Sequence, residues 1–447
     1  MIRNVVACIL AGGEGKRLFP LTAQRAKPAV RFGGSYRLID FPISNCVNSD
    51  IRKILILSQY KAHSLEPHLR VGWSFLRPEL GDYLASIPPQ QLGRIRYQGT
   101  ADAVYRNLPS LDRAAPAYVL ILASDHVYRM DYRRLFRFHL EQGADVTVAT
   151  FPVQRHRAHQ FGIVTADGRG NVVSFLEKPK HISALPGGIS SMPASMGIYL
   201  FTYDILRQVL LEDSRRSSMH DFGGDILPRM VGDYRVAAYP FVEGIDQEPA
   251  YWRDVGTTDA YWEAHMDLVG PHPRFRLEHP DWPLHTASAN RQPSAVFAPG
   301  NFDNGKEWRG AHPLITKGCT IRGGIVDRSI LSPGVYVDAE AEVLESVLLD
   351  GVRIGRGAKI RRAIIDQGTT VPPGTRIGYE SSHDCKRFAV SDAGITVMGG
   401  GIDAASVAEE RTADSSDYAQ EVSAGINGRR DLRGSLYAGG RVAQHVA

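Results

Sequence analysis

Short apolar runs bounded by turn residues recur through the first third of the chain. They lie at positions 5–10, 54–57, 118–123 and 145–151. Stretches of helical length, such as 101–113 and 132–142, lie between them. Apolar runs of this length fit buried strands, and their alternation with helices is typical of a mostly parallel sheet with helices on its faces. The pattern predicts an α/β, Rossmann-like domain over residues 1–285.

A second hydrophobic rhythm follows a stretch rich in Pro, Asn and Gly at 286–312, which we interpret as an interdomain linker. Single aliphatic residues then recur every five to seven positions, with glycines between them. They are Ile325, Ile330, Val337, Val343, Leu348, Ile354, Ile360, Ile365, Val371 and Ile377. A near-hexapeptide repeat is typical of a left-handed parallel β-helix, whose interior takes one aliphatic side chain per face. We predict such a domain, for regulation or oligomerisation, over 313–397.

The last part of the chain, 398–447, shows no hydrophobic period. Its composition shifts to Gly, Ala, Ser and charged residues. Such a segment buries too little apolar surface to offset the entropy lost on ordering. We therefore expect a flexible tail.

Composition and charge exclude several functional classes. A net charge of +4 on 447 residues is weak and no nucleic-acid-binding motif is present, so we expect no nucleic-acid partner. The cysteines are Cys8, Cys46, Cys319 and Cys385. Because their spacing is unpaired, we expect buried free thiols, no disulfide and no structural zinc. No apolar run approaches the ~18 residues of a membrane span and no signal peptide is evident, so we predict a cytoplasmic protein without a membrane partner.

A glycine-rich stretch, AGGEGKRLFPLTAQRAKPAV (11–30), directly follows the first predicted strand. Glycines leave backbone N–H groups accessible and let a phosphate chain approach the main chain closely. The spacing matches neither a Walker A loop nor a dinucleotide fingerprint, so an ordinary strand turn is the other interpretation. Four cations crowd the same turn: Lys16, Arg17, Arg25 and Lys27. Like charges gain nothing by lying together, and their crowding favours a triphosphate-binding loop.

Nine motifs along the chain point to one family. They are the glycine-rich stretch, YRLIDFPISN (36–45), QYKAHSLEPH (59–68), YQGTADAVYRN (97–107), LASDHVYRMDY (122–132), FLEKP (175–179), ASMGIYLF (194–201), HDFGGDILP (220–228) and YWRDVGTTDAYW (251–262). Together they closely resemble bacterial glucose-1-phosphate adenylyltransferase, also called ADP-glucose pyrophosphorylase. Sister enzymes that use UTP, dTTP, CTP or GTP share the glycine loop but not the whole series.

The resemblance implies a reaction, a cofactor and an assembly. α-D-Glucose 1-phosphate and ATP would give ADP-glucose and pyrophosphate, supplying a glucosyl donor for glycogen synthesis. Because one polyanion attacks another, the site has to neutralise charge and align the reactants. The resemblance also implies Mg²⁺, a homotetramer and allosteric control by an anionic metabolite.

The resemblance assigns residues to the ATP site. The triphosphate contacts are Gly12, Gly13, Gly15, Arg17 and Lys27. The adenine contacts are Gly99, Thr100, Asp102 and either Gln90 or Gln91, and Tyr97 is a further residue of the ATP site. Lys16 is either a further phosphate contact or a solvated surface lysine.

The resemblance also assigns metal ligands and sugar contacts. Asp125 and Asp254 match the two carboxylates that hold Mg²⁺; either one alone would more often cap a turn. The glucose 1-phosphate contacts are Gly162, Glu177, Lys178, Ser195 and Asp221. Read alone, these would be a solvated strand end, a turn serine and a helix cap. The implied catalytic residues are Arg17, Lys27, Asp125, Lys178 and Asp254.

His126 follows Asp125 and suggests a general base. The attacking phosphate is already ionised near neutral pH, so no proton has to be removed. We therefore predict a structural role for His126.

Regulation departs from the best-known pattern of the family. Enteric members that respond to fructose 1,6-bisphosphate carry a lysine at the place of Gln24 and an arginine near that of Val390. Other cations could form an anion site between the domains: Arg25, Arg31, Arg37, Arg361, Arg362, Lys386 and Arg387. We expect an effector of smaller charge, such as a monophosphorylated sugar or a small carboxylate.

Three alternatives stay open on the sequence. The first is a sister nucleotidyltransferase that uses another base or sugar, which an assay across nucleotides distinguishes. A second alternative is a non-catalytic regulatory subunit, against which the retained charged residues argue. A third is an acyltransferase in the β-helix, which needs a catalytic histidine, whereas His312 and His383 lie only at the ends of the repeats.

Overall fold

The computed structural model describes residues 2–89, 96–181, 190–287, 291–296 and 311–399. Gln90 and Gln91, the two candidates for adenine contact, lie outside the described residues. So does 400–447, which makes up nearly all of the predicted tail.

The described residues of the first domain form thirteen strands and eight α-helices. The strands are β1 (Val5–Ala11), β2 (Arg31–Phe32), β3 (Tyr36–Arg37), β4 (Lys53–Ser58), β5 (Tyr83–Ile87), β6 (Tyr118–Ala123), β7 (His126–Tyr128), β8 (Val146–Gln154), β9 (Gly162–Ala166), β10 (Val172–Glu177), β11 (Ser191–Thr202), β12 (Val236–Pro240) and β13 (Trp252–Asp254). The helices are α1 (Asp40–Asn48), α2 (Glu66–Gly72), α3 (Thr100–Arg106), α4 (Leu108–Ala114), α5 (Tyr132–Gln142), α6 (Tyr203–Asp213), α7 (Leu227–Met230) and α8 (Thr258–Met266).

A nine-stranded sheet forms the centre of this domain. The strands β5, β4, β1 and β6 run parallel, as the apolar runs predict. Beyond them β11 pairs antiparallel with β6 and carries β9, β10, β8 and β12, so the sheet is mixed on that side. Along β1, Val5, Ala7 and Ile9 belong to one hydrophobic core and Val6 and Cys8 to another. Both faces of the sheet are therefore covered, which explains the unbroken apolar runs.

The two predicted helices had different outcomes. The stretch 132–142 forms α5 with the same bounds. The stretch 101–113 instead forms two helices, because the ring of Pro109 removes a backbone donor and fits only the first turn of a new helix, α4. The side chain of Asn107, between them, donates to the carbonyl of Ala103 at 2.8 Å.

The second domain is a three-sided parallel β-helix. Its strands are β14 (Ala295–Val296), β15 (Leu314–Ile315), β16 (Thr320–Ile321), β17 (Gly324–Asp327), β18 (Ile330–Leu331), β19 (Tyr336–Val337), β20 (Ala341–Leu344), β21 (Val347–Leu348), β22 (Arg353–Ile354), β23 (Lys359–Arg361), β24 (Ala363–Ile365), β25 (Thr370–Val371), β26 (Arg376–Ile377), β27 (Ala389–Val390) and β28 (Thr396–Met398), with one helix, α9 (Ser381–Asp384). Strands of successive coils pair in parallel, and the Ser346 amide donates to the Ser329 hydroxyl 17 residues earlier at 3.0 Å. β14 lies inside the segment interpreted as linker and pairs with β16.

The interior of the β-helix confirms eight of the ten predicted aliphatic positions. The other two predictions are wrong by one residue: Val326 fills the interior instead of Ile325, and Leu331 instead of Ile330. Ile330 is also fully buried, but it packs with the first domain. The two residues of β18, Ile330 and Leu331, point into different cores. Both are buried, so burial alone does not identify which side chain faces the interior of the β-helix.

The two domains share a hydrophobic core. Ile330, Val347 and Ile364 of three successive coils pack in one cluster with Phe32 and Tyr261 of the first domain. The β-helix is thus fixed beside the loop that follows the glycine-rich stretch.

The cysteines match the expectation only in part. All four are free thiols, and Cys8, Cys46 and Cys319 are buried. Cys385 is exposed, because it follows the short surface helix α9. Among the described residues, no helix combines the length and the apolarity needed to cross a membrane.

Candidate active site

A cavity of about 740 Å³ opens at the carboxyl edge of β1, β4 and β6. Loops that follow parallel strands meet at one edge of the sheet, where open α/β folds bind ligands. Residues lining the cavity include Gly12, Gly13, Gly15, Arg17, Lys27, Gln59, Tyr97, Gly99, Thr100, Asp125, Glu177, Lys178, Tyr199, Asp221, Gly223 and Gly256. The structure thus brings together the glycine loop, the cations Arg17 and Lys27, the Glu177–Lys178 pair and part of the adenine motif. Of the two predicted metal ligands, Asp125 lines the cavity and Asp254 does not.

The glycine loop is held tightly at one point and open at another. Gly15 has a left-handed φ of 76°, and a Cβ there would lie 2.9 Å from Thr22 Cγ2. The Thr22 hydroxyl donates to the Gly15 carbonyl at 2.9 Å, which closes the loop. By contrast, no described atom beyond its neighbours lies within 4 Å of a Cβ placed on Gly13, so that backbone faces open space.

Three charged groups converge over Gly256. A Cβ on Gly256 would lie 2.9 Å from Asp254 Oδ1, 3.1 Å from an Arg17 guanidinium nitrogen and 3.4 Å from Lys27 Nζ. The buried Lys27 ammonium also donates to the Asp125 carboxylate. Two cations and two carboxylates therefore surround one small space.

The two carboxylates come from different strands. Asp125 follows β6, and Asp254 ends β13, which pairs with β7 so that Asp254 lies opposite His126. Ligand atoms of these three residues lie within 4.8 Å of one another, and the two carboxylates among them supply oxygen ligands that suit a metal ion. Burial alone would raise the pKa of Asp125, but Lys27 and His126 outweigh it and lower the pKa to about 2. Asp125 is therefore ionised at neutral pH.

His126 is oriented by a tryptophan. The Trp252 indole N–H donates to His126 Nδ1 at 3.4 Å, so the neutral ring carries its proton on Nε2. Nε2 lies 3.9 Å from a carboxylate oxygen of Asp125 and from one of Asp254. A protonated Nε2 cannot ligate a metal, and this supports the predicted structural role.

Of the predicted sugar contacts, Glu177, Lys178 and Asp221 line the cavity, whereas Gly162 and Ser195 do not. Glu177 and Lys178 form an ion pair at 2.7 Å in the cavity wall, and the lysine is 60% exposed. A Cβ on Gly162 would lie 2.7 Å from Glu177 Oε2, and one on Gly223 would lie 2.6 Å from it. The two glycines thus make room for the Glu177 carboxylate, and Gly162 does so from behind the wall.

Ser195 lies behind a residue that the sequence reasoning missed. Its hydroxyl is 3.2 Å from the Tyr199 hydroxyl, and it accepts from the Gly197 amide at 3.3 Å. Tyr199 lines the cavity, and Ser195 supports it. Ser195 and Tyr199 belong to the same motif, ASMGIYLF, but the pairing of β11 with β8 is irregular between them, so simple strand alternation could not have identified Tyr199.

The predicted ATP-site residues of the YQGTADAVYRN motif also have unequal positions. Tyr97, Gly99 and Thr100 line the cavity. The Asp102 carboxylate instead accepts from the Gln98 amide at 2.8 Å and from Arg106 Nε at 3.0 Å, closing its own loop. Gln59, missed by the sequence reasoning, accepts from the Tyr97 amide. Gln59 directly follows β4, so the carboxyl-edge rule could have identified it.

Three of the predicted effector arginines lie near the domain boundary and already have partners. Arg25 makes two hydrogen bonds to the Asp366 carboxylate, at 2.7 and 3.1 Å, with both side chains buried. Arg31 pairs with Asp350 at 2.7 Å. Arg37 donates to a backbone carbonyl at 3.0 Å, and burial together with nearby Arg31 lowers its pKa to about 10.

The other four predicted effector cations do not join this group. Arg361 and Lys386 are exposed. Arg362 stacks on the Trp262 ring at 4.7 Å. Arg387 lies 3.2 Å from His383 and lines a cavity of about 420 Å³ at the end of the β-helix.

A cleft of about 1260 Å³ separates parts of the two domains beside Arg31. Arg276, Arg291 and Lys317 also line it, together with Asp350. Asp350 Oδ1 is buried without a hydrogen-bond partner among the described residues, and burial raises the pKa of this carboxyl group. The cleft is therefore rich in cations around one poorly satisfied carboxylate.

Comparison with protein families gives two matches in sequence order. Residues 6–270 match the nucleotidyl transferase family, and residues 293–398 match the GlmU-like, C-terminal hexapeptide family. The second match agrees with the hexapeptide rhythm and identifies the β-helix as left-handed.

Curated relatives are similar over nearly the whole length of both chains. A glucose-1-phosphate adenylyltransferase of Koribacter versatilis is 45% identical over 400 residues, covering 88% of this chain and 95% of that protein. One of Rhodopirellula baltica is 44% identical over 405 residues, covering 90% and 91%. One of Anaeromyxobacter is 44% identical over 403 residues, covering 88% and 98%.

Proposed function

The chain belongs to the nucleotidyl transferase family, within its glucose-1-phosphate adenylyltransferase branch, and from that premise we propose that it joins ATP and α-D-glucose 1-phosphate. The products are ADP-glucose and pyrophosphate, and ADP-glucose would serve as a glucosyl donor for glycogen. The observation that carries the proposal is the convergence, in one cavity, of the glycine loop, Arg17, Lys27, Asp125 and the Glu177–Lys178 pair. Asp254 lies directly behind the lining residue Gly256.

The charges fit the order of bond changes in this reaction. A phosphate oxygen of glucose 1-phosphate attacks the α-phosphorus of ATP, and the bond from that phosphorus to the bridging oxygen breaks. Lys178 meets the attacking phosphate, while Arg17 and Lys27 take up the charge of the leaving pyrophosphate. Two unit charges ~4 Å apart interact by about 4 kcal/mol at an effective dielectric constant near 20, so a few aligned cations lower the barrier substantially.

Asp125 and Asp254 fit a Mg²⁺ ion. Mg²⁺ prefers carboxylate oxygens and keeps positions for substrate phosphates. Asp254 Oδ1 is buried without a hydrogen-bond partner among the described residues, which is costly unless a cation is bound there. Bound Mg²⁺ supplies positive charge to the phosphate oxygens of the substrate. The Lys27 contact meanwhile holds Asp125 ionised and in place.

Nucleotide choice tests the proposal directly. Pyrophosphate release is measured with glucose 1-phosphate and each of ATP, UTP, dTTP, CTP and GTP in turn. We expect ATP to give the highest kcat/KM. A higher value with another nucleotide would support the sister-enzyme alternative, and no turnover with any nucleotide would support the non-catalytic subunit.

We also propose that an anionic metabolite of small charge regulates the enzyme from the cleft beside Arg31. An anion there could draw Arg31 away from Asp350, an exchange that would shift one domain against the other. Fructose 1,6-bisphosphate should activate poorly, since each missing cation costs roughly ten- to a hundredfold in affinity. Titration with this compound, fructose 6-phosphate, glucose 6-phosphate, phosphoenolpyruvate and pyruvate tests the idea. Micromolar activation by the bisphosphate, unaffected by Gln24→Lys, contradicts it.

A homotetramer remains a proposal from family membership. Light scattering on the purified protein should give a mass four times the 49.2 kDa of one chain. A monomer or dimer at assay concentration would contradict it.

A further inference from the structure

A buried carboxylate outside the cavity organises the wall between its two halves. Asp213 ends α6, is 4% exposed and does not line the cavity. It accepts hydrogen bonds from the Ser218 hydroxyl at 2.9 Å, from His220 Nδ1 at 2.7 Å and from an Arg229 guanidinium nitrogen at 2.7 Å. A buried carboxylate with three donors is satisfied only while all three keep their places.

One of these contacts leads to the nucleotide half of the cavity. His220 has a left-handed backbone with φ of 54°, which a non-glycine residue adopts only when its surroundings hold it there. Its carbonyl accepts from the Ala101 amide at 2.7 Å, in the first turn of α3. A Cβ on Gly99 would lie 2.3 Å from this same carbonyl oxygen, so the two segments are in close contact.

The second contact leads to the sugar half. Arg229 also lies 3.5 Å from Asp225, whose carboxylate accepts from the Asp221 amide at 3.1 Å. The Asp221 carboxylate in turn accepts from the Thr100 hydroxyl at 2.8 Å. Thr100 and Asp221 both line the cavity, from the nucleotide side and the sugar side respectively.

We propose that Asp213 is a positioning residue that holds the nucleotide loop and the sugar-binding turn in one fixed relation. It acts through His220 on the start of α3 and through Arg229 and Asp225 on Asp221. This inference rests on the proposed function, because it takes the two halves of the cavity to bind ATP and glucose 1-phosphate.

The substitution Asp213→Asn isolates this effect. It keeps the shape of the side chain but replaces one acceptor oxygen with a donor, so at least one of the three donors loses its partner. The 218–222 turn then shifts under both substrates, and a misplacement of about 1 Å can cost 100-fold in rate. We expect the dissociation constants of ATP and of glucose 1-phosphate each to rise about tenfold.

Binding is measured separately from turnover. Calorimetric titration gives the dissociation constant of each substrate alone, well below the unfolding temperature of each variant. Glu212→Gln is the matched control, because Glu212 is the exposed neighbour on the same helix, and its carboxylate accepts a hydrogen bond from the Gln208 amide group at 2.9 Å, away from the 218–222 turn. It should leave both constants within about twofold. An inactive wild type that binds both substrates would overturn the proposed function and leave the positioning role measurable.

Ser218 supplies a second, milder pair of variants. Ser218→Ala removes one donor to Asp213 and should weaken both substrates about threefold, while Ser218→Thr keeps the hydroxyl and should restore them. Rescue by the conservative change separates positioning from general destabilisation. If Asp213→Asn folds but weakens neither substrate, or only one, the proposal is wrong. If Asp213→Asn does not fold, equal binding by Ser218→Ala and wild type overturns it.

Discussion

Replacing Gly256 with alanine tests whether the charged groups of the site are held at their working distances. The added methyl group would lie 2.9 Å from Asp254 Oδ1 and 3.1 Å from Arg17, whereas ordinary contact begins at 3.4 Å. The Asp254 oxygen must therefore move by about 0.5 Å, and the Arg17 guanidinium by about 0.3 Å. No charge changes, so any effect on the rate comes from position.

The expected loss of rate follows from that displacement. Since a shift of about 1 Å can cost 100-fold, a shift of about half that size should cost about tenfold in kcat, or ~1.4 kcal/mol. Gly256 does not have a left-handed φ, so alanine adds no backbone strain there. Alanine also restricts the unfolded chain and can stabilise the fold by about 0.4–1 kcal/mol. A lower rate should thus accompany an equal or higher Tm.

The assay measures initial rates of ADP-glucose formation over a range of Mg²⁺ concentrations, with Tm taken by calorimetry. We expect Gly256→Ala to lower kcat and to require more Mg²⁺ for half-maximal rate. Gly168→Ala is the control, because no described atom beyond its neighbours lies within 4 Å of a Cβ at that surface turn. A folded Gly256→Ala enzyme with kcat within twofold of the wild type would refute the proposed geometry.

Three further predictions concern metal, sugar and pH. Asp254→Asn should lower kcat at least ~100-fold in a folded protein, and near-normal turnover with unchanged Mg²⁺ dependence would show that Asp254 is not a ligand. Lys178→Ala should raise KM for glucose 1-phosphate far more than KM for ATP, and an equal rise would show that the lysine does not distinguish the substrates. Burial lowers the pKa of His139 and of His265 to about 4, so below about pH 6.5 the unfolded chain binds protons that the folded chain does not. Stability should therefore fall by about 2 kcal/mol per histidine from pH 7 to pH 5, and urea unfolding of His139→Gln should show a smaller pH slope; an unchanged slope contradicts this.

Local periodicity was enough to predict both domains and most of the buried strands. The parallel strands β1, β4 and β6 are covered on both faces, so their sequences are continuously apolar and easy to recognise. The hexapeptide rhythm located eight interior side chains of the β-helix, because each coil repeats the same three faces. Where Ile330 and Leu331 lie between two cores, the rhythm could not tell which one faces inward.

The motifs also predicted which charged residues would meet in the cavity. Arg17, Lys27, Asp125 and Lys178 all line it, although they come from three separate loops. The carboxyl-edge rule explains part of this success, because loops after neighbouring parallel strands must come together. The same rule, applied to the end of β4, would have added Gln59.

Only the tertiary structure decided the partners of the polar side chains. Asp102 belongs to a motif that lines the cavity, but its carboxylate accepts hydrogen bonds from Gln98 and Arg106 of the same segment. Arg25 pairs with Asp366, 341 positions away in the sequence. The spacing of residues along the chain indicates which face of a helix or strand a residue occupies, because that face is set by local periodicity. A hydrogen bond depends on where two distant segments lie after folding, to within a few tenths of an ångström. For that reason the sequence by itself determined the fold class and the composition of the site, and the packing of distant segments decided which groups face the cavity and which support it.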